Sequence, residues 1–80
     1  VESDVVTKLK NRDPQFLAEV FSDINPYMIR VLSGHGFYGE QAEDIIHQTW
    51  ETFFTNLEKF EGRSQLKTFL VGILINKVRE

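Results

Sequence analysis

The chain has 80 residues, of which 41% are hydrophobic, and it contains seven Phe, one Trp, two Tyr and no cysteine. This composition fits one small globular domain and excludes a disordered chain, a disulfide framework and a thiolate metal site. No apolar run approaches the roughly 20 residues that span a bilayer, so we expect no membrane insertion, and the lack of cysteine is compatible with a cytoplasmic location.

Charge is distributed unevenly along the chain. The net charge of -3 argues against a general nucleic-acid binder. Residues 40–58 contain five acidic and no basic residues, whereas residues 59–80 contain five basic and two acidic residues, which gives -5 and +3. An acidic segment followed by a basic one indicates two surfaces with different partners, although two ordinary solvated helix faces would give the same pattern.

The first half of the chain has the periodicity of helices. Apolar residues predict a short opening helix around residues 5–9. A longer helix should begin at Asp13 and Pro14, because Asp caps free amides and Pro is favoured at the first helical position. Its apolar residues recur at spacings of three and four as far as Leu32. Pro26 lies within this run and predicts a kink or a division of the helix near residues 23–25.

Two breaks separate the remaining helices. The first is a loop in which we expect positive φ angles, at Gly34, Gly36 and Gly39. A helix from about residue 40 to residue 59 follows, and its Trp50 and Phe54 should be buried against the first and third helices. The second break covers residues 60–64, where Ser64 is suited to cap the last helix. We therefore predict a single all-α domain over residues 1–80, a compact bundle of three principal helices plus a short N-terminal helix.

Few residues favour catalysis or metal binding. His47 lies one helical turn from Glu43, Asp44 and Glu51, which could be drawn as a metal site or an acid–base pair. One helix face supplies a single His and flexible carboxylates, whereas a metal site needs three or four convergent ligands. A solvated polar face is the better interpretation, so we expect no catalytic group, no metal and no cofactor.

The segment from residue 60 to residue 76 is better suited to nucleic acid. It places a glycine-containing loop between two helices, with Lys59, Arg63, Lys67 and Asn76 close by. A loop at the start of a helix offers free amides and positive potential to phosphates or to an extruded base. The spacing permits this function without being specific for it.

Several stretches in a fixed order resemble region 2 of bacterial sigma factors, most closely the extracytoplasmic-function class. They are residues 42–48 (AEDIIHQ), residues 57–64 (LEKFEGRS), residues 67–70 (KTFL) and Asn76. The resemblance covers nearly the whole chain. The sequence departs from the family pattern at Phe69, where Trp is usual, and at Gly72 and Ile75, where basic residues are frequent. His47 and Gln48 replace a usual Gln-Glu pair.

The resemblance implies a transcription initiation factor with two interfaces. The acidic helix would bind the β′ clamp helices of RNA polymerase core through Asp44, His47, Gln48 and Glu51. The following loop and helix would bind the non-template single strand of the promoter -10 element, melt the element and capture a flipped base. The residues expected to contact DNA are Lys59, Phe60, Gly62, Arg63, Ser64, Gln65, Lys67, Thr68 and Asn76.

Two further readings remain open. An anti-sigma factor is a common partner of this family. A helical protein-interaction domain without DNA binding is the alternative function, and it is favoured by the net acidity and by the lost basic positions. An enzyme is the least favoured class.

Overall fold

The structure is a computed structural model that describes residues 4–60 and 65–79, and its regular elements there are all helical. They are α1 (Asp4–Lys10), α2 (Pro14–Gly34), α3 (Gly39–Thr55), a 3₁₀ turn (Leu57–Lys59) and α4 (Leu66–Arg79). The predicted all-α bundle of three principal helices and a short N-terminal helix is confirmed. Within the described ranges, none of the helices has the length and apolar character needed to cross a membrane.

The start of α2 follows the sequence prediction. Asp13 precedes the helix, and its Oδ1 accepts a hydrogen bond from the backbone N–H of Phe16 at 3.0 Å. Pro14 is the first helical residue. The carboxylate thus satisfies one of the amides that the first turn leaves without a helical partner, as expected for an Asp cap.

Pro26 does not divide α2, so of the two predicted effects, a kink or a division, the division is excluded. The helix continues from Pro14 to Gly34, and Pro26 is on its exposed side. Its buried residues lie on both sides of the proline, at Val20, Ile24, Met28 and Leu32. Their packing stabilises both halves in one helical register, which offsets the cost of about 3 kcal/mol for a proline in a helix interior.

The loop after α2 contains the expected backbone conformations, but α3 ends earlier than predicted. Gly36 and Gly39 have φ angles of +87° and +56°, which side chains other than glycine rarely adopt. Gly34 is still part of α2 and has no positive φ angle, so the prediction was wrong at this position. At the far end of α3, the amide of Asn56 donates to the carbonyl of Thr52 at 3.0 Å, and the 3₁₀ turn replaces the last helical turn. This side-chain bond competes with continued helix formation.

The core lies between α3 and the two helices that pack on it, α2 and α4. Phe53 is fully buried at its centre, and its ring is 5.9 Å from Trp50 and 5.8 Å from both Phe60 and Phe69 between ring centroids. Trp50 is buried as predicted, with 8% of its surface exposed. Phe54 is only half-buried, so its predicted burial is wrong. The helical pattern identified the stripe, but Phe54 lies at its edge.

Candidate polymerase and nucleic-acid interfaces

The four residues expected to bind polymerase form one surface, here called the α3 polar face: Asp44, His47, Gln48 and Glu51. All four are exposed, and at 100° per residue they fall within an arc of about 100° around α3. His47 Nε2 lies 2.9 Å from Glu51 Oε1, and 77% and 66% of these side chains are exposed. The members of the α3 polar face recur at spacings of three and four residues, so the helical repeat places their side chains next to one another.

A groove with a volume of about 780 Å³ runs beside the α3 polar face, between α2 and α3. Its apolar floor consists of Phe21, Ile29, Ile46, Trp50 and Phe54. Its rim is polar and includes His47 and Glu51 of the α3 polar face. Ile29 is 48% exposed, so the groove presents unburied apolar surface directly next to charged side chains. Such a combination is typical of protein-interaction surfaces.

Two contacts that sequence reasoning missed shape this groove. The indole Nε1 of Trp50 donates a hydrogen bond to Oδ1 of Asn25 at 2.8 Å, which fixes α3 against α2. The guanidinium of Arg12 lies 4.5 Å from the centroid of the Phe54 ring and closes one end. Arg12 itself has a φ of +51°, an uncommon conformation for a residue other than glycine. Ile29, an apolar residue off the main stripe of α2, was the sequence signal that could have located the groove.

The described residues expected to bind DNA do not all point into one site. Lys59 is exposed at the end of the 3₁₀ turn. Phe60 is only 3% exposed, and its ring lies 5.0 Å from that of Phe69 between centroids. The side chain of Phe60 therefore packs in the core and exposes almost no surface.

The candidate DNA-binding residues in and next to α4 lie on two different sides of the helix. Gln65 and Lys67 line a cleft with α2, of about 470 Å³, whose walls also include Glu19 and Asp23. Thr68 and Asn76 line a separate depression on the outer face of α4. The structure thus brings Gln65 together with Lys67, and Thr68 with Asn76, but it separates the two pairs.

The depression on the outer face of α4 is lined mostly by apolar residues, and it also includes the basic residue Arg79. Val71, Gly72 and Ile75 lie there between Thr68 and Asn76. A Cβ built on Gly72 would meet no atom within 4 Å, so no close packing requires glycine at this position. A side chain could therefore leave the backbone at this position without a clash at its Cβ.

Three of the predicted DNA contacts, Gly62, Arg63 and Ser64, lie outside the described residues, and so does the predicted cap at Ser64. Over residues 4–60 and 65–79, no three His, Cys, Asp or Glu side chains come together in a way that could hold a metal ion.

The sequence comparison identifies the family. The family model for Sigma-70 region 2 matches residues 20–80, about three quarters of the chain. The chain belongs to the sigma-70 region 2 family. Searches of curated proteins and of solved structures returned no match.

Membership gives the chain a function in transcription initiation and promoter recognition, with RNA polymerase core and promoter DNA as its partners. The family is one of transcription factors and not of enzymes. The match begins at Val20, inside α2, and includes the groove residues from Phe21 onward, the α3 polar face and all of α4. Most residues of both candidate interfaces therefore lie within the matched region, and Arg12 of the groove and Glu19 of the cleft precede it.

Proposed function

We propose that this sigma region 2, of the extracytoplasmic-function class, docks on the β′ clamp helices of polymerase and captures a flipped base of the -10 non-template strand. The observation that carries the proposal is the separation of two surfaces around α2. Phe21, Asn25 and Ile29 face the groove beside the α3 polar face, whereas Glu19 and Asp23 face the cleft that contains Lys67. At 100° per residue these sets lie on different sides of the helix. One domain can therefore hold two partners at once.

The polymerase surface would combine charge with apolar contact. The α3 polar face carries Asp44 and Glu51, and the groove next to it exposes Ile29. Basic side chains on the clamp helices would meet the carboxylates, and an apolar side chain would enter the groove. Complementary charge speeds association and sets orientation, while the buried apolar contact provides most of the affinity.

The DNA surface would lie around the loop between the 3₁₀ turn and α4. The described residues nearest to it are Phe60, which is buried, and Gln65, which directly precedes the start of α4 at Leu66. In the proposal the loop takes the flipped base, with Ser64 and Asn76 as candidates for contacts to its edge. Lys59, Arg63 and Lys67 would contact phosphates, which carry no sequence information. Binding the unpaired base shifts the duplex-opening equilibrium and breaks no covalent bond.

Docking is tested by charge reversal on the α3 polar face. Asp44→Arg should weaken binding to a peptide coiled coil carrying the clamp helices at least tenfold, and Glu58→Arg is the matched control. Glu58 is equally exposed but lies in the 3₁₀ turn, outside the α3 polar face. Both variants should melt near the parent because exposed substitutions usually change stability by under about 0.5 kcal/mol. Equal affinity of the two variants would remove this face from the interface.

DNA capture is tested by two substitutions that should fail in different ways. Lys67→Ala should lower affinity for every single strand alike, and it should reduce the salt slope by about 0.7. Ser64→Ala should instead reduce the preference for the captured base, in a titration of short strands varied at one position. Loss of clamp binding alone would leave DNA capture standing. Clamp binding without any DNA binding would favour the alternative, a helical interaction domain.

A further inference from the structure

The ammonium group of Lys67 rests on an aromatic ring of another helix. Lys67 Nζ lies 4.7 Å from the ring centroid of Tyr27, which belongs to the middle of α2. Both residues are half-buried, although Lys67 is only the second residue of α4. A cation at this distance from the face of a Tyr ring is attracted by the ring quadrupole.

This contact decides where the lysine side chain points. The cleft around Lys67 also contains the carboxylates of Glu19 and Asp23, which attract the same ammonium group. Lysine has a flexible stem, and without a third partner it could turn toward either carboxylate. The ring of Tyr27 offers a competing position, and the ammonium keeps N–H donors on the side away from the ring.

We propose that Tyr27 is a positioning residue for nucleic-acid binding, whose ring holds Lys67 ready to contact a phosphodiester of the single strand. This inference rests on the proposed DNA function of the loop between the 3₁₀ turn and α4. Tyr27 touches no DNA in this scheme and acts through Lys67. The ring of Tyr27 limits the rotamers of the Lys67 side chain before DNA binds, so less side-chain entropy is lost when the ammonium contacts a phosphate. The ring also keeps the ammonium from pairing with Asp23.

The test uses the whole chain and a short fluorescent oligothymidine as the probe. Tyr27→Leu removes the aromatic face, and it should weaken binding about two- to fivefold, the range expected for a cation–π contact that is not fully desolvated. It should also lower the salt slope, by up to about 0.7, because the phosphate contact of Lys67 weakens. Tyr27→Phe keeps the aromatic face and should bind like the parent with an unchanged slope.

A double-mutant cycle separates positioning from a general structural effect. In a Lys67→Ala background, Tyr27→Leu should change neither the affinity nor the salt slope, because the group that Tyr27 positions is gone. Thermal melts check that every variant is folded. Equal loss from Tyr27→Leu in both backgrounds, or equal affinity of Tyr27→Leu and the parent, would overturn the inference while leaving the DNA function intact. A parent chain that binds no strand at all would instead overturn the proposed function, and the inference with it.

Discussion

Replacing Phe53 with Leu tests the account of the core, because this ring is fully buried while its neighbour Phe54 is only half-buried. The Phe53 ring lies 5.3 to 5.9 Å from four others: those of Trp50, Phe54, Phe60 and Phe69. Aromatic pairs contribute roughly 0.5–1.5 kcal/mol beyond their buried area. Phe53→Leu keeps most of the apolar volume but loses all four pairs.

Losing these ring contacts should cost Phe53→Leu about 2 kcal/mol of unfolding free energy, since partial relaxation recovers some of the packing. For a domain of this size that corresponds to a melting temperature lower by about 8 to 16 °C. Phe54→Leu is the matched control and should cost less than Phe53→Leu, because it loses two ring pairs instead of four and solvent already reaches part of the ring. Far-UV circular dichroism during heating measures both.

The order of the two variants is the decisive result, because it depends on which ring is central and not on the absolute energies. A Phe54→Leu variant that melts below Phe53→Leu would show that the centre of the core has been assigned to the wrong ring. Equal melting temperatures for the two variants would show that the difference in burial between Phe53 and Phe54 does not determine their contributions to stability.

Three further substitutions test the helices and the phosphate contacts. Gly72→Ala should stabilise the domain by about 1 kcal/mol, seen as a higher melting temperature, because Ala is a better helix former and its Cβ meets no atom within 4 Å. Asp13→Ala should destabilise it by about 1 kcal/mol in a urea titration, because the Phe16 amide loses its acceptor. Lys59→Ala should weaken binding to all single strands alike and reduce the salt slope by about 0.7 in a fluorescence titration, and a change in base preference would contradict its assignment to phosphate.

The sequence predicted the helices well because their signals are local. The apolar spacing and the cap at Asp13 depend only on residues that are close together in the sequence, and they located α2 and its start. The end of α3 was harder, because it depends on the Asn56 amide bonding back to Thr52. The sequence also did not predict that Thr49 is fully buried. Its hydroxyl donates to the carbonyl of Ile45 at 2.7 Å, which removes the cost of burying a polar group.

The candidate interfaces were predictable only in part. The residues of the α3 polar face belong to one helix, and the helical repeat places all of them on the same exposed side. The groove beside it depends on Asn25 meeting Trp50, 25 residues away, and Lys67 contacts the ring of Tyr27, which is 40 residues away in the sequence. Contacts between helices that are distant in sequence are set by tertiary packing, which periodicity does not specify. The same packing buries Phe60, for which the resemblance to the sigma family had implied a DNA contact.

The most direct measurement of the central claim is the affinity of the parent chain for four short single strands that differ only at one position of the -10 element. Capture of a flipped base predicts that one strand binds better than the other three by about 1–3 kcal/mol, and that this preference persists when salt lowers all four affinities. The matching duplex should bind more weakly, because its base must first be unpaired. Four equal affinities would contradict base capture and leave only attraction to phosphate.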